Sequence, residues 1–151
     1  MTASLSSGAA AETAALQQVL AAEHAAVWGY GVVGGLLPAP AQEPARSADR
    51  AHRMRRDTLS ALLAGRAATP VAAAPDYDLP FSVADAGAAR RLAVHLEKGT
   101  AAAWHAALAA LTTADLRRLA VTGLTDAATR GLQWRLTVPG EASTVPFPGS
   151  A

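Results

Sequence analysis

Glu23, His52 and Glu97 are the residues whose types and spacing could do chemistry. Glu23 fills a slot in an apolar helical stripe, Leu16, Leu20, Val27 and Tyr30, where the spacing asks for another hydrophobic residue. A carboxylate taken out of water costs several kcal/mol unless a cation or dense hydrogen bonding answers it. Two carboxylates and an imidazole are donors that divalent cations accept. Di-iron and di-manganese helical bundles take one Glu from each of two helices and a Glu-x-x-His unit from each of the other two. In this chain the first helix offers Glu23, the third Glu97, and the second Asp49-Arg50-Ala51-His52, an Asp version of that unit. The fourth has Gly123 and Asp126 at the comparable spacing, so half of a dinuclear set is missing. Arg55 shares the face of His52, Leu59, Leu62 and Leu63, and Arg130 shares the stripe of Leu116, Ala120, Ala127 and Trp134. Guanidinium groups aimed at that interior oppose a divalent cation and are natural forked partners for Glu23 and Glu97. The expectation is a buried polar cluster of Glu23, His52, Arg55, Glu97, Arg130 and Asp126 with no cofactor. The alternative is one divalent ion, Fe, Mn or Zn, held by Glu23, His52 and Glu97 for redox or Lewis-acid work.

Four helices must position these groups. The first is expected at about 10–34, ended by Gly34, Gly35 and Pro38, and the second at 44–64, with Pro44 in its first turn and Gly65 beyond its end. Residues 65–83 carry Pro70, Pro75 and Pro80 and read as a long connection, enough extended chain to return along a helix of about 30 Å. The third and fourth helices are expected at about 84–110 and 113–136, the last capped by Thr112 or Thr113, with an extended tail over 138–151 held by Val145 and Phe147. Two helical hairpins joined by one crossover is an all-α, single-domain bundle spanning residues 1–151. Counted from Gly34 and Pro44, Glu23 and His52 miss one another in height by roughly 4 to 5 Å. An offset of 74 residues places Glu23 on Glu97, Tyr30 on Trp104 and Leu37 on Leu111, a weak repeat matching two similar hairpins.

Composition agrees. The chain is Ala-rich, with 5% aromatic residues, which favours helices packed through small side chains, and its 151 residues suit one core. A net charge of +1 gives no field to attract nucleic acid or an anionic membrane. The absence of cysteine excludes disulfides, thiolate metal sites and a Cys nucleophile. The start of the chain lacks the basic-then-apolar order of an export signal. Glu23 and His24 interrupt the most apolar helical stretch, so a cytoplasmic protein without membrane spans is expected.

Other features read as structural. His24, His95 and His105 lie off the core stripes. Arg46, Arg50, Arg53 and Arg56 with Asp57 form a basic face of the second helix, read as solvated with an Arg53–Asp57 pair rather than as a nucleic-acid contact. Gly29, Gly31, Gly34 and Gly35 suggest a close-packing surface, and Trp28 a second interface on the first helix, consistent with a homodimer and an unidentified protein or small-molecule partner.

The strings Ala22-Glu23-His24-Ala25-Ala26-Val27-Trp28-Gly29-Tyr30-Gly31, His52-Arg53-Met54-Arg55-Arg56-Asp57, Tyr77-Asp78-Leu79-Pro80-Phe81 and Pro146-Phe147-Pro148-Gly149 occur in this order over nearly the whole chain. In combination they resemble an uncharacterised family of ferritin-like domains of high-GC bacteria. The resemblance implies a ferritin-like four-helix bundle and transfers no activity. Residue by residue, Glu23, His52 and Glu97 match ligand-type positions, whereas the fourth helix departs from the di-metal pattern. The expected function is a non-enzymatic binding or structural protein with a degenerate metal site.

Overall fold

The computed structural model describes residues 2–150, and side chains from residue 7 onward; Met1 and Ala151, the ends of the expected domain and tail, lie outside them. The described residues form four helices and no strand: α1 (Thr2–Leu36), α2 (Ala39–Ala64), α3 (Ala86–Ala107) and α4 (Ala114–Arg135). α1 begins earlier than its stripe suggests. Residues 2–9 hold no proline, and one glycine, Gly8, costs an exposed helix only about 1 kcal/mol.

α2 also begins earlier than expected. Pro38 supplies an extended residue (φ −64°, ψ 152°) that ends one helix and starts the next, and Pro40 falls in the first turn, where no N–H is needed. Pro44 lies inside the helix and removes one backbone hydrogen bond. Ala45 and Ala48, both buried, keep that turn packed. The tight turn corrects the expected height mismatch, because Glu23 and His52 stand equally far along the chain from Leu37-Pro38. α3 starts at an Asp85 cap whose side chain accepts from Ala88 N at 2.7 Å, and α4 at a Thr113 cap accepting from Leu116 N at 3.4 Å.

α1 packs on α2 and α3, and α4 packs on α3; α2 and α4 meet through the Arg55–Asp126 pair. Two apolar clusters fill the interior. One joins Leu16, Leu20, Leu59, Leu63, Trp104, Leu111 and Leu116. The other joins Tyr30, Val33, Leu37, Ala45, Leu92 and Trp134. Ala26, not Val27, occupies the buried position one turn beyond Glu23. Glu12, unremarkable in the sequence, is buried and accepts from Thr112 N at 2.7 Å, tying α1 to the turn between α3 and α4.

The connection 65–85 runs from the end of α2 to the start of α3. Gln17 grips its beginning from both sides, donating to Thr69 O (2.7 Å) and accepting from Val71 N (2.8 Å), and His24 Nε2 bonds Val71 O at 3.0 Å. Tyr77 then packs on Trp28, ring centroids 5.8 Å apart, and Val83 packs against the second apolar cluster. Trp28 lies off the core stripe because it serves this connection.

The tail is held otherwise than expected. Phe147 is 82% exposed, with φ 48°, and Val145 is exposed too. The close contact is made by Gly149, at φ +88°, where a Cβ would stand 2.7 Å from Ala101 O. Only glycine fits both that conformation and that approach. Gly149→Ala is therefore expected to free residues 141–150 from α3. Hydrogen exchange there should accelerate while the helices keep their protection; unchanged exchange in the tail would contradict this packing.

Candidate functional site

Between the two apolar clusters, at mid-height, lies a polar layer. Glu23 and His52 are 0% exposed and Glu97 1%. Helical spacing from the Leu37-Pro38 turn brings His52 to α1, and the antiparallel packing of α1 and α3 brings Glu97 to the same level. His52 Nδ1 bonds Glu23 Oε2 at 2.7 Å and Nε2 bonds Glu97 Oε1 at 3.1 Å. An imidazole with an acceptor on each nitrogen satisfies both only when doubly protonated. Burial pushes the His52 pKa down, but the hydrogen bonds and charges of Glu23 and Glu97 outweigh it and raise it to about 9.

Aromatic donors complete the layer. Trp104 Nε1 donates to Glu23 Oε1 at 2.9 Å and Tyr30 Oη to Glu97 Oε1 at 2.6 Å, while Trp134 Nε1 donates to Tyr30 Oη at 2.8 Å. The Tyr30 ring also stacks on His52, centroids 5.3 Å apart. Arg130 Nε donates to Glu97 Oε1 at 2.9 Å from the edge of the layer. Two carboxylates thus meet one imidazolium and one guanidinium, and the buried charges balance. Burial raises the Glu97 pKa, but His52, Arg130 and the Tyr30 hydrogen bond together bring it below the ordinary value. Burial, followed by the Glu97 charge and hydrogen bond, drives Tyr30 well up, so it stays a donor. Glu97 Oε2 is buried without a partner among the described residues.

The layer carries the repeat seen at the offset of 74. Glu23 corresponds to Glu97 and Tyr30 to Trp104, and each aromatic donates to the carboxylate of the other helix. Tyr30 and Trp104 each stand two helical turns beyond their own Glu, on the same face, which is the sequence signal for them as donors. The second pair of helices breaks the symmetry. His52 corresponds to Asp126, which pairs instead with Arg55 and has a side chain 46% exposed.

Several expectations need correction. Arg55 reaches neither Glu23 nor Glu97; it bonds Asp126 and lies over the Trp104 ring at 5.8 Å. Arg55 and Asp126 therefore bridge α2 and α4 outside the buried layer. Asp49 bonds none of the layer's groups: Arg53 takes its Oδ2 at 2.8 Å, its Oδ1 is buried without a partner among the described residues, and Arg53 pairs with Asp49 rather than with Asp57. The basic face neutralises itself further, since Glu43 bonds Arg46 and Arg50 while Asp57 bonds Arg56. Of the four glycines, Gly29 packs on Leu96, whereas Gly31, Gly34 and Gly35 have nothing within 4 Å of where a Cβ would stand. Gly123, which lacks the carboxylate a dinuclear site would want, has its own reason. A Cβ there would stand 2.6 Å from Trp104 Nε1, in the space that lets the indole reach Glu23.

The same geometry bears on a metal. The two nitrogens of an imidazole point apart, so an ion on one of them is beyond reach of the carboxylate bonded to the other. Arg130 also brings positive charge to the Glu97 oxygen that such an ion would use. Among the described residues no group of three or more His, Asp or Glu side chains could hold a metal ion. Glu23, His52 and Glu97 as arranged do not fit a single divalent ion.

A family model described as a domain of unknown function, DUF4439, matches residues 15–151. The chain belongs to the DUF4439 family. Among solved structures, the crystal structure of a conserved hypothetical protein of Mycobacterium tuberculosis, rv2844, is similar to this DUF4439 chain at 40% identity and a TM-score of 0.83. The alignment covers 85% of this chain and 98% of that one. Comparison with curated proteins gives no match. No described helix of the DUF4439 chain is long and apolar enough to cross a membrane.

Two outcomes test the layer. Replacing a helical glycine by alanine ordinarily gains about 1 kcal/mol, but Gly123→Ala is expected to cost about 1–3 kcal/mol, because the indole must move and the buried carboxylate loses its donor. A stabilised variant by urea unfolding would contradict the packing. The His52 shift also fixes a pH dependence. Its folded value, about 9, lies above the unfolded value of about 6.5, so its contribution is complete below about pH 6.5 and is lost as pH rises through about 9. The loss should be on the order of 3 kcal/mol, and His52→Gln should flatten the slope. A wild-type stability level across that window would refute the assigned charge.

Proposed function

We propose that this protein is a ferritin-like bundle without a working di-metal centre, a non-enzymatic binding scaffold whose interior is organised around a proton instead of metal ions. The observation that carries this reading is His52, with a carboxylate on each ring nitrogen at 2.7 and 3.1 Å. Each nitrogen that could ligate an ion instead bonds an acidic oxygen, which leaves neither lone pair free for a metal. Three supports lie outside that residue. Asp126 and Gly123, where a second ligand unit would stand, serve Arg55 and Trp104. Arg130 supplies a fixed positive charge to Glu97. The two short helical turns, the long connection and the repeat about the polar layer suit ferritin-like topology.

In this reading the polar layer fixes the register of α1, α2 and α3, and binding is left to the surface. A buried ion cluster adds little net stability relative to apolar packing, yet removing one member leaves a charge stranded. Glu23→Ala is accordingly expected to cost about 3–5 kcal/mol in urea unfolding. Equimolar Fe²⁺, Mn²⁺ or Zn²⁺ should leave the melting temperature of the wild type unchanged. A rise with one of these ions that disappears in His52→Ala would overturn the proposal in favour of a metalloprotein.

A further inference from the structure

Two clefts open between α2 and α4, and the Arg55–Asp126 pair lines the smaller. The larger, of about 690 Å³, lies beside the first half of α2 and the end of α4, within the range of small-molecule sites. Ala41, Pro44 and Ala48 of α2 and Trp134 of α4 give it apolar walls, and two cations line it, Arg130 and Arg90. Arg130 spends its Nε on Glu97, while its Nη2 is buried and has no partner among the described residues. The cleft meets the remaining, partly exposed part of the Arg130 side chain, 16% of which is accessible. Arg90 enters none of the ion pairs of the described residues. Glu43 also lines the cleft, but Arg46 at 3.0 Å and Arg50 at 2.8 Å neutralise it. With Arg130 balanced by Glu97 and Glu43 by its two arginines, Arg90 is the uncompensated charge of a cleft with an apolar background.

We propose that this cleft binds a small organic carboxylate with an apolar body, its carboxylate set between Arg130 and Arg90 and its hydrocarbon part against Trp134, Pro44 and Ala48. A planar guanidinium offers paired donors that match a carboxylate, and the walls offer the rest of such a ligand a place out of water. The inference rests on the binding-scaffold reading and names its ligand class. It also gives Arg130 two roles, closing the charge balance of the buried layer through Nε and receiving the ligand at its other end.

Phenylbutyrate and its neutral amide are suitable probes, titrated into the full chain and followed by calorimetry and by amide NMR shifts. The acid should bind saturably, with shifts confined to the facing parts of α2 and α4, and the amide should bind at least about tenfold more weakly. Arg90→Gln, a change outside the buried layer, should weaken the acid about tenfold and leave the amide unaffected. Ser47→Trp, which fills the cleft from an exposed position on α2, should abolish binding of both. Equal affinity for acid and amide, shifts elsewhere in the molecule, or no saturable binding below about 10 mM would overturn the proposal. His52 ring-nitrogen shifts in the same sample report separately on the buried layer, so failure of the cleft and failure of the scaffold reading are distinguishable.

Discussion

An imidazolium held between two carboxylates in a buried interior is the constraint on which the rest of this bundle depends. Three charges at 0–1% exposure are tolerable only if each finds its counterpart and nearly every polar atom a partner, Glu97 Oε2 being the exception. That requirement explains features that otherwise look unrelated. The turn at Leu37-Pro38 must be tight for His52 to stand level with Glu23. Trp104 must reach across to Glu23 Oε1, and so α4 has no side chain at Gly123. Tyr30 must remain protonated to donate to Glu97, with Trp134 donating behind it. Apolar clusters above and below keep water out and make the pairing worth more than it would be at a surface.

Much of this is legible in the sequence, for identifiable reasons. A carboxylate in a helical stripe is a strong anomaly, so Glu23 points to a buried partner, and the 3.6-residue period places His52 and Glu97 on facing stripes. The repeat offset pairs Glu23 with Glu97 and Tyr30 with Trp104 from residue types alone. The hydrogen bonds of the aromatics are hidden because Tyr and Trp on a stripe look like ordinary core residues, and only the direction of an N–H or O–H tells otherwise. Arg55 illustrates a different limit. Its position on the wheel is right for the interior, but a long side chain chooses among several carboxylates by local geometry, and its partner is Asp126. Phe147 misleads for a similar reason. A lone aromatic in a tail suggests an anchor, whereas the actual constraint is the backbone conformation and close approach of Gly149.

Family membership and the likeness to the Mycobacterium tuberculosis protein establish the kind of chain this is and assign no reaction. The physical content of the site narrows the field further. His52 holds the centre of the layer between two carboxylates, a guanidinium faces Glu97, and the open cleft lies between α2 and α4. Stability and recognition are thereby separated in space and joined at Arg130, which belongs to both the buried layer and the cleft.

The most direct measurement of the central claim is nitrogen NMR of His52 in selectively labelled protein across a pH titration. The account predicts that at about pH 7.5, where an ordinary histidine is neutral, both ring nitrogens of His52 carry protons, and that the signal titrates near pH 9. A neutral ring with one unprotonated nitrogen at that pH, or a nitrogen shifted by a bound metal ion, would contradict it.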